Sequence, residues 1–257
     1  MEKTVSDKIA ASEILSRIVD FLFPRRCLLC GKVNPAGKYL HFCERCSPEA
    51  DILRGARCLR CSEIVGTEGI PDTPTCARCR DNPPWFNKSL VVGSFTNAVR
   101  QMSIELKYRN GTYILADMSR LLAEVKAARA FFERAVLVPV PLHYSRKLKR
   151  GYNQSELICR MIARTFPDAN LRIAKILKRT RRTPTQTTLD REHRAGNVRN
   201  AFALSNEKTA RAAFDKSTRF VVVDDVMTSS ATLSECAKML KRAGFENVDA
   251  FAFARRL

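Results

Sequence analysis

The chain has 257 residues, 45% of them hydrophobic and 28% charged, which is enough apolar content for a buried core and argues against disorder. Its 45 Lys and Arg outnumber 26 acids to give a formal charge of +19, and no stretch nears the ~18 consecutive apolar residues of a membrane span. The first 22 residues mix acids with bases and hold no apolar signal core, so a cytoplasmic protein without a membrane segment is expected.

The charge is unevenly placed. Residues 1–85 carry 13 basic and 11 acidic side chains, whereas the remainder carries 32 and 15. A basic field of that kind attracts phosphate-bearing partners, with a merely solvated basic surface as the plainer reading.

Within residues 5–22, Ile9, Ile14, Leu15, Ile18, Val19 and Leu22 form a helical stripe that stops before Pro24, marking 1–24 as an N-terminal helical segment. Eight of the ten cysteines then fall in four Cys-x-x-Cys pairs: Cys27/Cys30, Cys43/Cys46, Cys58/Cys61 and Cys76/Cys79. Two such turns complete a tetrahedral four-sulfur shell, so residues 25–84 read as a double zinc ribbon with two structural Zn2+. Disulfides are the competing reading, disfavoured in a reducing compartment, and an iron–sulfur cluster is the chemical rival. Sequential pairing is expected, although the spacing also admits an interleaved set. Gly31 suits the knuckle turn after Cys30, and His41 reads as a turn residue, not a ligand. Cys159 and Cys236 lie singly in helical patterns and read as small core residues.

Pro83-Pro84 marks a stiff link, and residues 85–257 read as a separate α/β domain. Strands are expected at 89–95, 135–140, 219–224 and 247–253, with helices at 97–107, 113–127, 153–165 and 231–243. Residues 171–200 lack periodicity and read as a long loop with short strands at most. Alternating strands and helices at this spacing imply a parallel sheet with right-handed crossovers.

The sharpest motif lies at residues 220–232, Phe-Val-Val-Val-Asp-Asp-Val-Met-Thr-Ser-Ser-Ala-Thr. An apolar strand delivers Asp224 and Asp225, and a hydroxyl-rich turn then opens a helix. Backbone N–H groups of such a turn bind phosphate, and Thr228, Ser229 and Thr232 add hydroxyl donors. The two carboxylates can hold vicinal ribose hydroxyls, with Mg2+ bridging nearby. The plain alternative is an N-capping turn with two solvated acids ahead of it.

This string resembles the phosphoribosyl pyrophosphate (PRPP) loop of type I phosphoribosyltransferases, usually written Val-Asp-Asp-Val-x-Thr-Thr-Gly-Ala-Thr. The resemblance implies a PRPP site with Mg2+ formed by Asp224, Asp225, Val226, Met227, Thr228, Ser229, Ser230, Ala231 and Thr232. Ser230 stands where the family has glycine, and a positive φ there would cost roughly 1–2 kcal/mol. Val138-Pro-Val-Pro-Leu-His143 and Arg150-Gly-Tyr-Asn153-Gln resemble signatures of the ComF family of competence proteins. They sit where a pyrophosphate loop belongs, with Arg146, Lys147, Lys149, Arg150 and Asn153 available for the diphosphate. Leu22-Phe-Pro-Arg-Arg-Cys27, Leu106-Lys107-Tyr108 and the stretch from Thr183 to Phe202 match further elements of that family. The resemblance runs from about residue 20 onward. It implies a double zinc ribbon ahead of a type I phosphoribosyltransferase-like domain, and a role in handling single-stranded DNA during transformation.

Three functions are therefore weighed. One is a DNA-processing accessory protein that binds a PRPP-type ligand and single-stranded DNA. Its electrostatic track would be residues 172–199, which hold nine basic residues against Asp190 and Glu192, with Lys178, Arg179, Arg181, Arg182, Arg191 and Arg194 as the candidate DNA contacts. That segment has no aromatic residue, so no stacking platform is evident in it. The second is an active phosphoribosyltransferase, with Asp224, Asp225 and Arg150 as catalytic residues and charge stabilisation as the main device. The third is a zinc-ribbon module that docks a partner such as a DNA-uptake helicase or a recombination protein.

Overall fold

The structure, a computed structural model, describes residues 24–34, 37–67, 75–181 and 200–256. The expected helix at 5–22 lies outside the described residues. So do the side chains of Arg146, Lys147 and Lys149 and the part of the basic segment that holds Arg182, Arg191 and Arg194.

Five strands form a parallel sheet in the order β1-β7-β6-β2-β3, where β1 is Ser89–Ser94, β2 Val136–Pro139, β3 Arg172–Ile173, β6 Phe220–Met227 and β7 Val248–Arg255. A separate antiparallel hairpin pairs β4 (Leu177–Arg179) with β5 (Phe202–Leu204). The α/β class and the parallel sheet agree with the sequence. The central strands are buried on both faces, which explains why Phe220–Val223 read as one continuous apolar run.

Helices cover both faces. On one lie α2 (Asn97–Tyr108), α3 (Leu115–Ala123), α4 (Ala128–Phe132) and α6 (Gln154–Thr165), whose Met102, Leu106, Met118, Leu121, Phe132, Ile158 and Ile162 pack on Leu137, Val221, Val223 and Phe251. On the other, Leu233, Cys236, Ala237 and Leu240 of α8 (Ala231–Arg242) pack on Val222, Val136 and Ala250, with Leu177 and Phe202 of the hairpin beside them. Cys159 and Cys236 are fully buried in these two cores, as small apolar residues would be.

Some expected elements differ. The helix expected over 113–127 is a 3-10 turn at Thr112–Ile114 followed by α3, because the N–H groups of Glu124 and Val125 close back on Leu121 and Leu122 and tighten the last turn. Strand β6 continues past Asp224 to Met227, since its pairing with β7 runs on to Met227 opposite Arg255. Helices α5 (Tyr144–Arg150) and α7 (Glu207–Ala213) are not expected from the sequence because they carry no apolar stripe.

The ribbons are interlocked with the sheet. Ile52 bridges Gly93, and the Leu53 N–H donates to the Val92 carbonyl at 3.0 Å, so the ribbon adds to the edge of β1. A Cβ on Gly93 would sit 2.8 Å from the Asp51 carbonyl oxygen, which explains the glycine there. Asp51, itself 4% exposed, accepts from Thr96 Oγ1 at 2.6 Å and from the Val99 N–H at 3.1 Å, so the ribbon caps the start of α2. Among the described residues no helix is long and apolar enough to cross a membrane.

Candidate functional site

The eight paired cysteines form two sets, Cys27, Cys30, Cys43 and Cys46, then Cys58, Cys61, Cys76 and Cys79, with all sulfurs of a set within 4.8 Å of one another. Pairing is therefore sequential. A tetrahedral shell with Zn–S bonds of about 2.3 Å places its sulfurs about 3.8 Å apart. Cys30 and Cys43 Sγ stand at 3.7 Å, and Cys61 and Cys76 Sγ at 3.8 Å, so both sets fit zinc. Burial works against the Cys27 thiolate, but backbone N–H groups of Cys30, Cys43 and Leu29 outweigh it and bring the thiol down to about 6. Cys58 comes down to about 7 in the same way, through Cys61, Cys76 and Arg60. Burial and the neighbouring sulfurs push Cys46 up to about 12 and raise Cys79 as well. Each set thus pairs one ready thiolate with thiols that need a cation such as Zn2+ to ionise, Cys46 in the first and Cys61 and Cys79 in the second. His41 belongs to neither set. Its Nδ1 lies 3.0 Å from Asp117 Oδ2, and its ring packs on Tyr113.

The second set faces the turn that follows the acid pair, since Cys61 and Cys79 share a cavity with Ser229 and Ser230. Arg255, with no exposed surface, donates to the Cys61 carbonyl at 2.6 Å and to Met227 Sδ at 3.0 Å, and pairs with Glu63. One side chain thereby joins β7, the end of β6 and the second ribbon. The sequence offered no signal for it beyond an arginine at the end of a strand.

The turn itself is built at the switch point of the sheet. From β2 the chain goes to β3 on one side and later to β6 on the other, and ligands bind beyond the carboxyl ends of strands at such a point. There Asp224 Oδ1 accepts from Ser155 Oγ at 3.1 Å and from the Asp225 N–H at 2.9 Å. Burial and the adjacent Asp225 raise the Asp224 carboxyl to about 7. Asp225 is 3% exposed, and its Oδ2 lies 2.6 Å from Lys107 Nζ, which reaches in from α2. The sequence marked Lys107 only as part of a family motif, and Ser155 not at all. Both are brought to the acid pair by the packing of α2 and α6 on one face.

Residues 228–230 bend away from β6, and Ser230 begins α8 at φ 66° and ψ 0°, the left-handed region. The strain expected of a non-glycine residue is present. Ser230 makes no side-chain capping bond to α8, and its hydroxyl is buried without a hydrogen-bond partner among the described residues. Val226 and Met227 differ from the rest of the turn, because the first packs on the core and the second receives Arg255.

The opposite loop contributes α5 and the residues after it. Arg150 donates to Gln154 Oε1 at 3.1 Å, and its guanidinium stands 5.2 Å from the Tyr108 ring centroid. Asn153 has both ends engaged, donating to the Val140 carbonyl and accepting from the Ser155 N–H, each at 3.0 Å. Its role in the fold is to hold the loop and cap α6. Arg146 and Lys147 lie on α5, with side chains outside the described residues. On the hairpin, Lys178 and Arg181 are exposed, while Arg179 is half-buried over the Phe202 ring at 5.2 Å.

A sequence profile described as Double zinc ribbon domain matches residues 18–85. Competence protein F of Haemophilus influenzae is 28% identical over 229 residues, covering 83% of this chain and 96% of its own. DNA utilization protein YhgH of Salmonella typhi is 30% identical over 238 residues, covering 91% of this chain and 98% of its own. The chain belongs to the competence protein F/YhgH family. Competence protein ComFC of Streptococcus pneumoniae is a more distant relative at 23% identity, over 90% of this chain and all of its own. At 91% coverage, the Salmonella relative aligns through residues of both the ribbons and the α/β domain.

Proposed function

We propose that this family member handles single-stranded DNA during its uptake or use, and that the turn at 224–232 binds a PRPP-type phosphorylated ribose with Mg2+. The observation that carries the reading is the assembly at the switch point. A buried acid pair countered by Lys107 adjoins an uncapped helix N-terminus, which is the chemistry of ribose hydroxyls next to a phosphate. The names of the relatives, competence and DNA utilization, support the DNA arm. Bound Mg2+ would neutralise the diphosphate of PRPP. The protein's own part is to orient the ribose through Asp224 and Asp225 and to seat the 5′-phosphate on residues 228–232. Exposed Leu29 and Val33 on the first ribbon suit a protein partner such as an uptake helicase.

Isothermal titration with Mg2+–PRPP, with and without oligo(dT), tests the reading. We expect both ligands to bind, and DNA binding to weaken steeply with salt. Replacing Lys178, Arg179 and Arg181 with Ala should flatten the log–log salt slope by about 0.7 for each phosphate that is no longer neutralised. Absence of binding by both ligands at moderate salt would overturn the proposal. A second reading, phosphoribosyl transfer to a nitrogenous acceptor, is favoured by Asp224. A carboxyl held near 7 is poised to take a proton at neutral pH.

A further inference from the structure

Between the second ribbon and the first turns of α8 lies a cavity of about 220 Å³. The segment Asn82–Trp85 forms one wall, Arg78 of α1 (Ala77–Asp81) another, and Ser229, Ser230 and Ser234 the floor. Pockets for drug-sized molecules run to roughly 300–1,000 Å³, so this one suits a single ring system. None of Asp224, Asp225, Lys107 or Ser155 lines it. The phosphate turn therefore separates the acid pair from the cavity and contributes to both.

Two observations point to a ligand here. The Ser230 residue is 7% exposed, and its hydroxyl, which lines the cavity, has no hydrogen-bond partner among the described residues. A buried hydroxyl left unpaired is costly, and a bound acceptor removes that cost. Trp85 is the chain's sole tryptophan and is 45% exposed at the cavity wall. Its main chain is held there by the backbone N–H, which donates to Ser234 Oγ at 3.0 Å, and by the stiff Pro83-Pro84 ahead of it. Lys238 Nζ lies 5.7 Å from its ring centroid. A pinned aromatic face with cations beside it and an anion seat next door is how proteins grip single-stranded nucleic acid.

We infer that this cavity takes a nucleobase of single-stranded DNA, stacked on Trp85, while the adjoining phosphate rests on the 228–232 turn. The inference rests on the DNA arm of the proposed function. A ligand that spans the turn carries sugar on one side of a phosphate and a further nucleotide on the other. It is therefore a phosphodiester. PRPP ends at its 5′-phosphate and leaves the cavity unfilled. The aromatic partner that residues 172–199 lack is thus supplied by the link between ribbon and domain.

Trp85 fluorescence on the full-length, zinc-loaded protein tests this without a label. Oligo(dT) should quench it, whereas Mg2+–PRPP and an abasic oligomer of equal length should not. Trp85→Ala should weaken oligo(dT) binding by about 5- to 150-fold, the range expected when one base–aromatic stack is removed. Its salt slope should stay unchanged because the same phosphates remain neutralised, and Trp85→Phe should keep most of the affinity. Oligo(dT) binding that leaves Trp85 silent, or equal quenching by the abasic oligomer, would sink the pocket and spare the DNA reading. If the unaltered protein binds no DNA at all, the DNA reading falls and the pocket with it.

Discussion

The two zinc ribbons have the same ligands and nearly the same spacing, yet they are mounted in different ways. The first is held to the domain by main-chain amides. The N–H groups of Leu40 and His41 donate to the two oxygens of Asp117, a fully buried carboxylate on α3, at 2.7 and 2.8 Å. Tyr39 and Phe42 enter the core beneath, while Cys30 faces solvent. The second is held by Arg255 through a side chain, with Cys58, Cys61 and Cys79 all buried, and it forms a wall of the cavity beside the phosphate turn. Ligand spacing sets the metal shell; the mounting decides whether that shell faces solvent or the cavity beside residues 229–231.

Damage to the two ribbons should therefore have different consequences. The largest concerns zinc, since structural sites of this kind contribute roughly 10–16 kcal/mol. Metal analysis under reducing conditions should give two zinc ions per chain, and a chelator should remove them in two phases. The fast phase should belong to the exposed first site and vanish in Cys30→Ser. A single phase would erase the distinction between the ribbons.

Next come the mounts. Asp117→Ala leaves two part-buried N–H groups without their acceptor, which should cost about 1–3 kcal/mol in denaturant unfolding while ligand affinity in the folded fraction is retained. Arg255→Met removes charge-assisted bonds to a part-exposed Glu63 that keeps Arg78, with an expected destabilisation of about 1.5–3 kcal/mol. In contrast to Asp117→Ala, it should also weaken binding at the turn. Equal binding by both variants would mean that the second mount carries no function.

Two smaller effects probe the turn. Ser230→Gly relieves a left-handed residue worth roughly 1–2 kcal/mol, so thermal unfolding should shift upward. Asp224→Asn tests the raised carboxyl. The folded state holds that proton up to about pH 7, whereas an unfolded carboxyl releases it near 4, so wild-type stability from this group is lost as pH rises between them. The Asn variant should be the more stable protein above pH 7, with the gain gone near pH 4. A gain that does not change with pH would mean the carboxyl is not raised.

Much of this is legible in the residues. Cys-x-x-Cys spacing leads to both metal sets, and the Val-rich strand with its acid pair leads to the turn, because each is a local pattern with a local cause. What stays hidden depends on distant contacts. Asp51 and Asp117 look like ordinary surface acids until a helix start and two amides from elsewhere are brought to them. Lys107 and Ser155 meet the acid pair only through the packing of α2 and α6. The two short helices without an apolar stripe, α5 and α7, show the same limit, since nothing in their own sequences separates them from loop.

The position of β7 has a consequence for how the chain is made. It lies between β1 and β6, so the strand translated last of the five must enter the middle of the sheet, and it brings Arg255 to the second ribbon. The ribbons emerge before any strand of the sheet and can take up zinc early, but the second has no seat until residue 255 has left the ribosome. A nascent chain that stalls before this strand exposes the flanks of β1 and β6 and an unmounted metal knuckle together, the kind of unpaired edge that invites aggregation or proteolysis. The buried arginine thereby ties the ribbons, made before the sheet, to the last-made of its five strands.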